Sequence, residues 1–142
     1  MNVLPLVPER RRQRSKEACT AITYQLHHIL EQEGLRNFTL GDSQGLVVAG
    51  AGLAHESDVM AAYAPMLSGC VDRSRKETIL AKVRQFVPGV FEDTYHVKSF
   101  RVDGEEFYLT LLGAPGIYQH VGVYRAVTGV RRILEQTVWS AA

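Results

Sequence analysis

The chain has 142 residues, 46% of them hydrophobic, and a formal net charge of +1. This length suits one domain that buries about 70% of its unfolded surface, no apolar run nears the ~20 residues that cross a bilayer, and MNVLPLVPERRR puts its charges after its apolar residues, the reverse of a secretory signal. A cytoplasmic protein is expected, and two distant cysteines, Cys19 and Cys70, signal neither a disulfide framework nor a zinc site.

Residues 1–17 read as an N-terminal basic arm, and 18–142 as a single domain. From Glu9 to Glu17 the net charge is +3, which leaves −2 for the remainder. Arg10, Arg11, Arg12, Arg14 and Lys16 form a docking candidate for an acidic protein, a phosphate-bearing surface or anionic lipid, against the plainer reading of a solvated first turn. Pro8 precedes or opens a helix to about Glu33 with an apolar stripe of Ala18, Cys19, Ile22, Leu26, Ile29 and Leu30. Gly34 stops it.

The stretch NFTLGDSQGLVVAGAG, from Asn37 to Gly52, reads as a β-hairpin. Phe38 and Leu40 fall on one side of its first strand. Leu46, Val47, Val48 and Ala49 are apolar on both sides of its second, the pattern of a strand covered on both faces. Asp42 to Gly45 supply the turn.

A second helix begins near His55 or Ser57, with Asp58 in its first turn, and carries Val59, Met60, Tyr63, Met66, Leu67 and Cys70. Pro65 predicts a kink or break near Ala64. Ser74 and Glu77 match a capping box for a further helix through Ile79, Leu80, Val83, Phe86 and Val87, ended by Pro88-Gly89.

Asp103-Gly104 predicts a two-residue type I′ turn, which pairs Val102 with Glu105, Arg101 with Glu106, Phe100 with Phe107, Val97 with Thr110 and Tyr95 with Leu112. A final helix, about Val121 to Trp139, carries the stripe Val123, Val127, Val130, Leu134 and Val138, and Gly122 and Gly129 weaken it locally. The sum is an α/β (α+β) domain, an antiparallel central sheet of two hairpins with helices packed on it.

Signals for chemistry are sparse, and a binding or assembly module is expected, not an enzyme. The phosphate-binding GxxxxGK[ST] is missing, and Gly50-Ala51-Gly52 lacks the third glycine of GxGxxG. His27 with Glu31, joined by His28, has no third ligand of a metal motif, and Cys70 with His96 or His120 would need tertiary proximity to act as a thiolate pair. No cofactor, metal, nucleic acid or membrane signal stands out. The second helix is apolar over more of its circumference than one core stripe requires, and a long sheet edge at Tyr95 to Val102 needs cover.

The LGDSQGLVVAG hairpin at Leu40 to Gly50, the alanine-rich helix from about Glu56, the later strands and the closing helix resemble the Roadblock/dynein light chain family, with its profilin-like fold. The resemblance implies a dimer, with itself or with a related chain, formed by the central helix and the strand after it. Val59, Met60, Tyr63, Met66 and Leu67 with Val97, Ser99 and Arg101 are then the interface residues. It also implies a non-enzymatic regulator or scaffold for a small Ras-like GTPase, in a polarity, motility or signalling system. The alternative is a GAF-like sensory domain enclosing a small molecule, and a thiol enzyme using Cys70 ranks below both. The family has three strands after its central helix where two are evident here, unless Val90-Phe91 adds a short one, and the segment Arg75 to Val87 is an addition.

Overall fold

A computed structural model describes residues 6–114 and 120–136, with side chains from 16 to 114 and from 124 to 136. Its elements, in chain order, are α1 (Leu6–Glu33), β1 (Asn37–Asp42), β2 (Val47–Ala51), α2 (Ala54–Ser68), α3 (Arg73–Arg84), β3 (Tyr95–Val102), β4 (Glu105–Leu112) and α4 (His120–Glu135). The strands form one antiparallel sheet in the order β2-β1-β4-β3. Helices α1 and α4 cover one face, and α2 and α3 the other.

Strand alternation separates two cores. Ile22, Leu26 and Ile29 of α1 meet Ala126, Val130 and Leu134 of α4 over Phe38, Leu40, Phe107, Leu109 and Leu111. On the opposite face, Met60 and Leu67 of α2 join Ile79, Leu80 and Val83 of α3 over Tyr95 and Leu112, with Val87 and Val90 from the connection after α3. Phe38, Leu40 and Leu26 are fully buried, each such burial worth about 1.5–3 kcal/mol. The α1 stripe and the α4 residues Val130 and Leu134 are as the spacing predicts. Ala126 faces inward as well, whereas Val123 and Val138 lie outside the described side chains. At Gly129, α4 lies against the Gln25 side-chain amide of α1.

The second hairpin has the predicted register throughout. Asp103 (φ 52°) and Gly104 (φ 80°) both adopt the left-handed conformation that the type I′ turn demands. The rings of Phe100 and Phe107 stack with centroids 5.9 Å apart, and Arg101 Nη2 lies 3.9 Å from Glu106 Oε2 on the other side.

Four expectations are corrected. The strands covered on both faces are β1, every residue of which up to Gly41 is buried, and β4, buried from Phe107 to Leu112; β2 is an edge, with Leu46 60% and Val47 37% exposed. A continuous apolar run cannot by itself distinguish a central strand from an edge whose hairpin tip stays open. The chain does not break at Ala64, because α2 continues through Pro65 to Ser68. Proline there falls in the last turn, where it forfeits one helical bond, while its own carbonyl still accepts from Gly69 N at 3.3 Å. Glu56, not Asp58, is the acidic residue of the first turn of α2. Finally, α3 is capped by Asp72, whose Oδ1 accepts from Ser74 N (2.9 Å) and Arg75 N (3.4 Å), so Ser74 lies inside the helix. Val90-Phe91 forms no strand, and Val90 is buried in the second core.

The cap assignment is tested by equilibrium urea unfolding. Asp72→Ala is expected to cost about 1 kcal/mol, whereas Ser74→Ala should leave the midpoint nearly unchanged.

Candidate interaction surface

The surface begins with how α2 is seated. The α2 side of β1 presents Asn37 and Thr39, both fully buried. Thr39 Oγ1 donates to Asn37 Oδ1 at 2.6 Å and shares a 2.8 Å hydrogen bond with Ser57 Oγ of α2; Asn37 Nδ2 donates to the same Ser57 oxygen at 3.1 Å. Buried polar groups so paired fix position without leaving an orphan. Beside them the backbones approach closely, since a Cβ at Gly50 would come 2.7 Å from Ser57 Oγ and one at Gly41 would come 3.1 Å from Ala61 Cβ.

A second polar contact ties the helix start to its surroundings. Arg36 forms an ion pair with Glu56 and also donates to the Pro88 carbonyl. Glu56 is buried, and its Oε1 has no protein partner. After α3, Arg84 donates to Val90 O at 2.9 Å, pairs with Glu77 and lies 4.4 Å over the Phe91 ring. Sequence patterning missed all of these residues, because the arginines act across sequence gaps that no local period records.

So seated, α2 turns Met60 and Leu67 inward, at 1% and 2% exposure. These two interface candidates are core residues of the protomer and offer it no surface. Val59 and Tyr63 are half-buried against the second core, and Met66 is 56% exposed. With exposed His55 and Ala62, Val59 and Met66 form an outward stripe at helical spacing. The strand candidates lie on β3, where Val97 and Ser99 are half-buried and Arg101 is exposed. All three point to the α2 side of the sheet.

The two sheet edges differ. β2 is short, and its pairing with β1 has an irregularity between Leu40 and Gly41. β3 has eight residues in unbroken register with β4, and has neither bulge nor proline to deter another strand. Beside this edge, burial and the Glu106 carboxylate push the Tyr108 phenol up, against the opposing pull of Arg101.

The other candidates are dispersed. Of the basic arm, residues 6–17 fall within α1, and Lys16 is exposed; the side chains of Arg10, Arg11, Arg12 and Arg14 lie outside those described. His27, His28 and Glu31 are exposed on α1. No group of three metal-binding side chains occurs among the described residues. Burial raises the pKa of the half-buried Cys19 thiol. Cys70 is also half-buried, its Sγ 3.5 Å from the Asp72 carbonyl, and His96 sits exposed on β3. No described helix is long and apolar enough to cross a membrane.

No protein-family model matches the chain, and no curated protein is similar to it in sequence. Solved structures are similar to it in fold. Myxococcus xanthus MglB superimposes with a TM-score of 0.52 at 11% identity, over 87% of this chain and 94% of that one. An MglB with a tetrameric arrangement gives 0.52 at 16% identity, over 84% and 91%. The gliding protein MglB from Thermus thermophilus gives 0.52 at 16%, over 84% and 93%. The fold is thus the Roadblock-like fold of MglB, a mixed α/β domain with a four-stranded antiparallel sheet.

Tyr95, where β3 begins, supplies a test of the core beneath this surface. Its hydroxyl is buried without a protein partner, and burial pushes its pKa well above the usual value. The unfolded chain therefore releases this proton first, from about pH 10, and stability falls as pH rises beyond that point. Tyr95→Phe should keep or raise stability at pH 7 and flatten the alkaline decline, as read by urea unfolding at a series of pH values.

Proposed function

We propose that the protein is a non-enzymatic regulator or scaffold that dimerises through the outer stripe of α2 and the edge of β3, and in that form binds a partner protein. A small Ras-like GTPase is the partner class that the Roadblock resemblance implies. The reading rests most on one observation, an MglB-like fold across 87% of the chain. The open β3 edge lying next to a partly apolar α2 stripe adds to it.

Such a platform supplies no reacting group. It acts by holding the switch segments and attacking water of its partner in the arrangement that in-line displacement at the γ-phosphate requires. One of the structures similar in fold is that of a gliding protein, which favours polarity or motility as the setting, in the cytoplasm where such GTPases work. The dimer is a homodimer or pairs this chain with a related one.

Met66→Glu tests the interface. Met66 is 56% exposed in the protomer, so a charge there costs the fold little but must be desolvated at a contact. Light scattering over a concentration series should show a wild-type dimer and a mutant monomer with unchanged circular dichroism. A wild-type monomer at every concentration would overturn the homodimeric platform.

The basic arm is the proposed docking element for an acidic partner surface. Replacing Arg10, Arg11, Arg12 and Arg14 with glutamine should weaken partner binding and remove most of its salt dependence. Titrations at low and high salt check this, and wild-type binding that ignores salt would refute it.

A further inference from the structure

Helix α1 is longer than the sheet it covers. It enters β1 through residues 34–36, so Glu33 lies at the Asn37 end of the sheet. Ile22 is then about 17 Å back along the helix and Asp42 about 17 Å along β1, which brings the two level at the β1–β2 turn. The buried stripe of Leu26 and Ile22 ends one turn later at Ala18. Helix α4 gives out near the same level, since Gly129 lies against Gln25 and Glu135 is its last residue. Among the described residues, positions 6–17 of α1, about 18 Å of helix, therefore run past both the sheet and α4.

Charge is not spread evenly round this overhang. Helical spacing continues the buried stripe from Ile22 and Ala18 to Ser15 and Arg11. Arg14 and Arg10 follow on one flank of that line, and Arg12 and Lys16 on the other. Glu9, Gln13 and Glu17, spaced four apart, take the opposite side. The basic positions thus centre on the side of the helix that, farther along, faces the sheet. The β1–β2 tip begins where that sheet-facing side runs out. Leu46 sits opposite Asp42, its carbonyl accepting from Asp42 N at 3.0 Å, and Asp42 shares the α1 side of β1 with Phe38 and Leu40. Leu46 is 60% exposed and Val47 37%. The Asp42 carboxylate is turned into the hairpin, its Oδ1 accepting from Gln44 N at 2.9 Å and Leu46 N at 3.0 Å.

Resting on the docking-arm reading above, we infer that the overhang of α1 and the β1–β2 tip form one site, whose occupant is an acidic segment of the partner protein that carries an apolar side chain. Its carboxylates meet the basic positions, and its apolar side chain covers Leu46. Attraction between exposed charges alone is weak and screened by salt, whereas covering Leu46 adds a contribution that salt does not screen. A polyanion without apolar groups offers nothing to Leu46. From Glu9 to Glu17 the overhang holds no apolar residue to enter a bilayer, which favours a protein segment over a lipid surface.

Fluorescence anisotropy of two labelled glutamate-rich peptides, one with a central Leu-Leu and one with Ser-Ser in its place, tests this on the full chain. The leucine peptide should bind the more tightly at low salt, and Leu46→Ser should remove the difference. Arg11→Gln and Gln13→Glu lower the net charge equally, on opposite sides of the helix. Arg11→Gln should weaken binding about tenfold and Gln13→Glu less than about twofold, because only the first removes a charged contact. Circular dichroism confirms that each variant folds. Equal weakening by both, or equal affinity for the two peptides, would overturn the site while the docking arm stands. No binding of either peptide at low salt would overturn the arm as well, with the dimer still judged by light scattering. Binding to phosphatidylglycerol vesicles and to neither peptide would give the surface to a membrane and overturn the inference.

Discussion

The close seating of α2 on the sheet is the constraint on which the rest of the molecule depends. Gly41 and Gly50 bring two backbones together, and the Asn37–Thr39–Ser57 hydrogen bonds decide where along the sheet the helix stops. An all-apolar contact would leave the helix free to slide or rotate, since the hydrophobic effect has no direction. Paired buried polar groups have one satisfied arrangement, and any rotation of α2 would strand them. From that seat follow the inward turn of Met60 and Leu67, the outward stripe with Met66, and the position of α3, which packs on the sheet side only through α2 and the second core.

The same seat explains why the two edges of the sheet are unequal. β2 lies under the start of α2 and against α1, and its short pairing with β1 is irregular. β3 lies farthest from that crowded end. Its register with β4 is set by the Asp103-Gly104 turn, and among the described residues its outer side pairs with no further strand. Its exposed cations Lys98 and Arg101 deter some registers without closing the edge to all. A single lysine selects among partners and alignments rather than excluding pairing altogether.

Legibility in the sequence followed the range of the interaction. The second hairpin was readable in full, because a two-residue turn fixes every pair outward from it. The α1 stripe was readable because one face of one helix meets one core. Assigning β2 as a strand covered on both faces failed because Leu46 to Ala49 look central by composition, while β1, one of the two central strands, carries Asn37 and Thr39, whose burial depends on Ser57 some twenty residues later. Asp72 was overlooked as a cap because Ser74-Glu77 offered a better local match. The interface set mixed surface and core for a related reason, since helical period groups Met60 and Leu67 with Val59, Tyr63 and Met66 but cannot say which edge of a wide apolar arc the sheet will take.

The position of α3 bears on how a partner could be met. It runs along one flank of α2, with Val59 and Tyr63 half-buried in the core the two helices share. Much of the apolar excess that the sequence suggests for α2 is therefore spent inside the protomer. What is left is a narrow stripe around Ala62 and Met66 beside an unpaired strand. A contact built on such a surface has little apolar area to draw on and must take its specificity from backbone hydrogen bonds along β3, which are directional and register-sensitive. With α3 on that flank, an assembly through this surface would rest more on strand pairing than on helix packing.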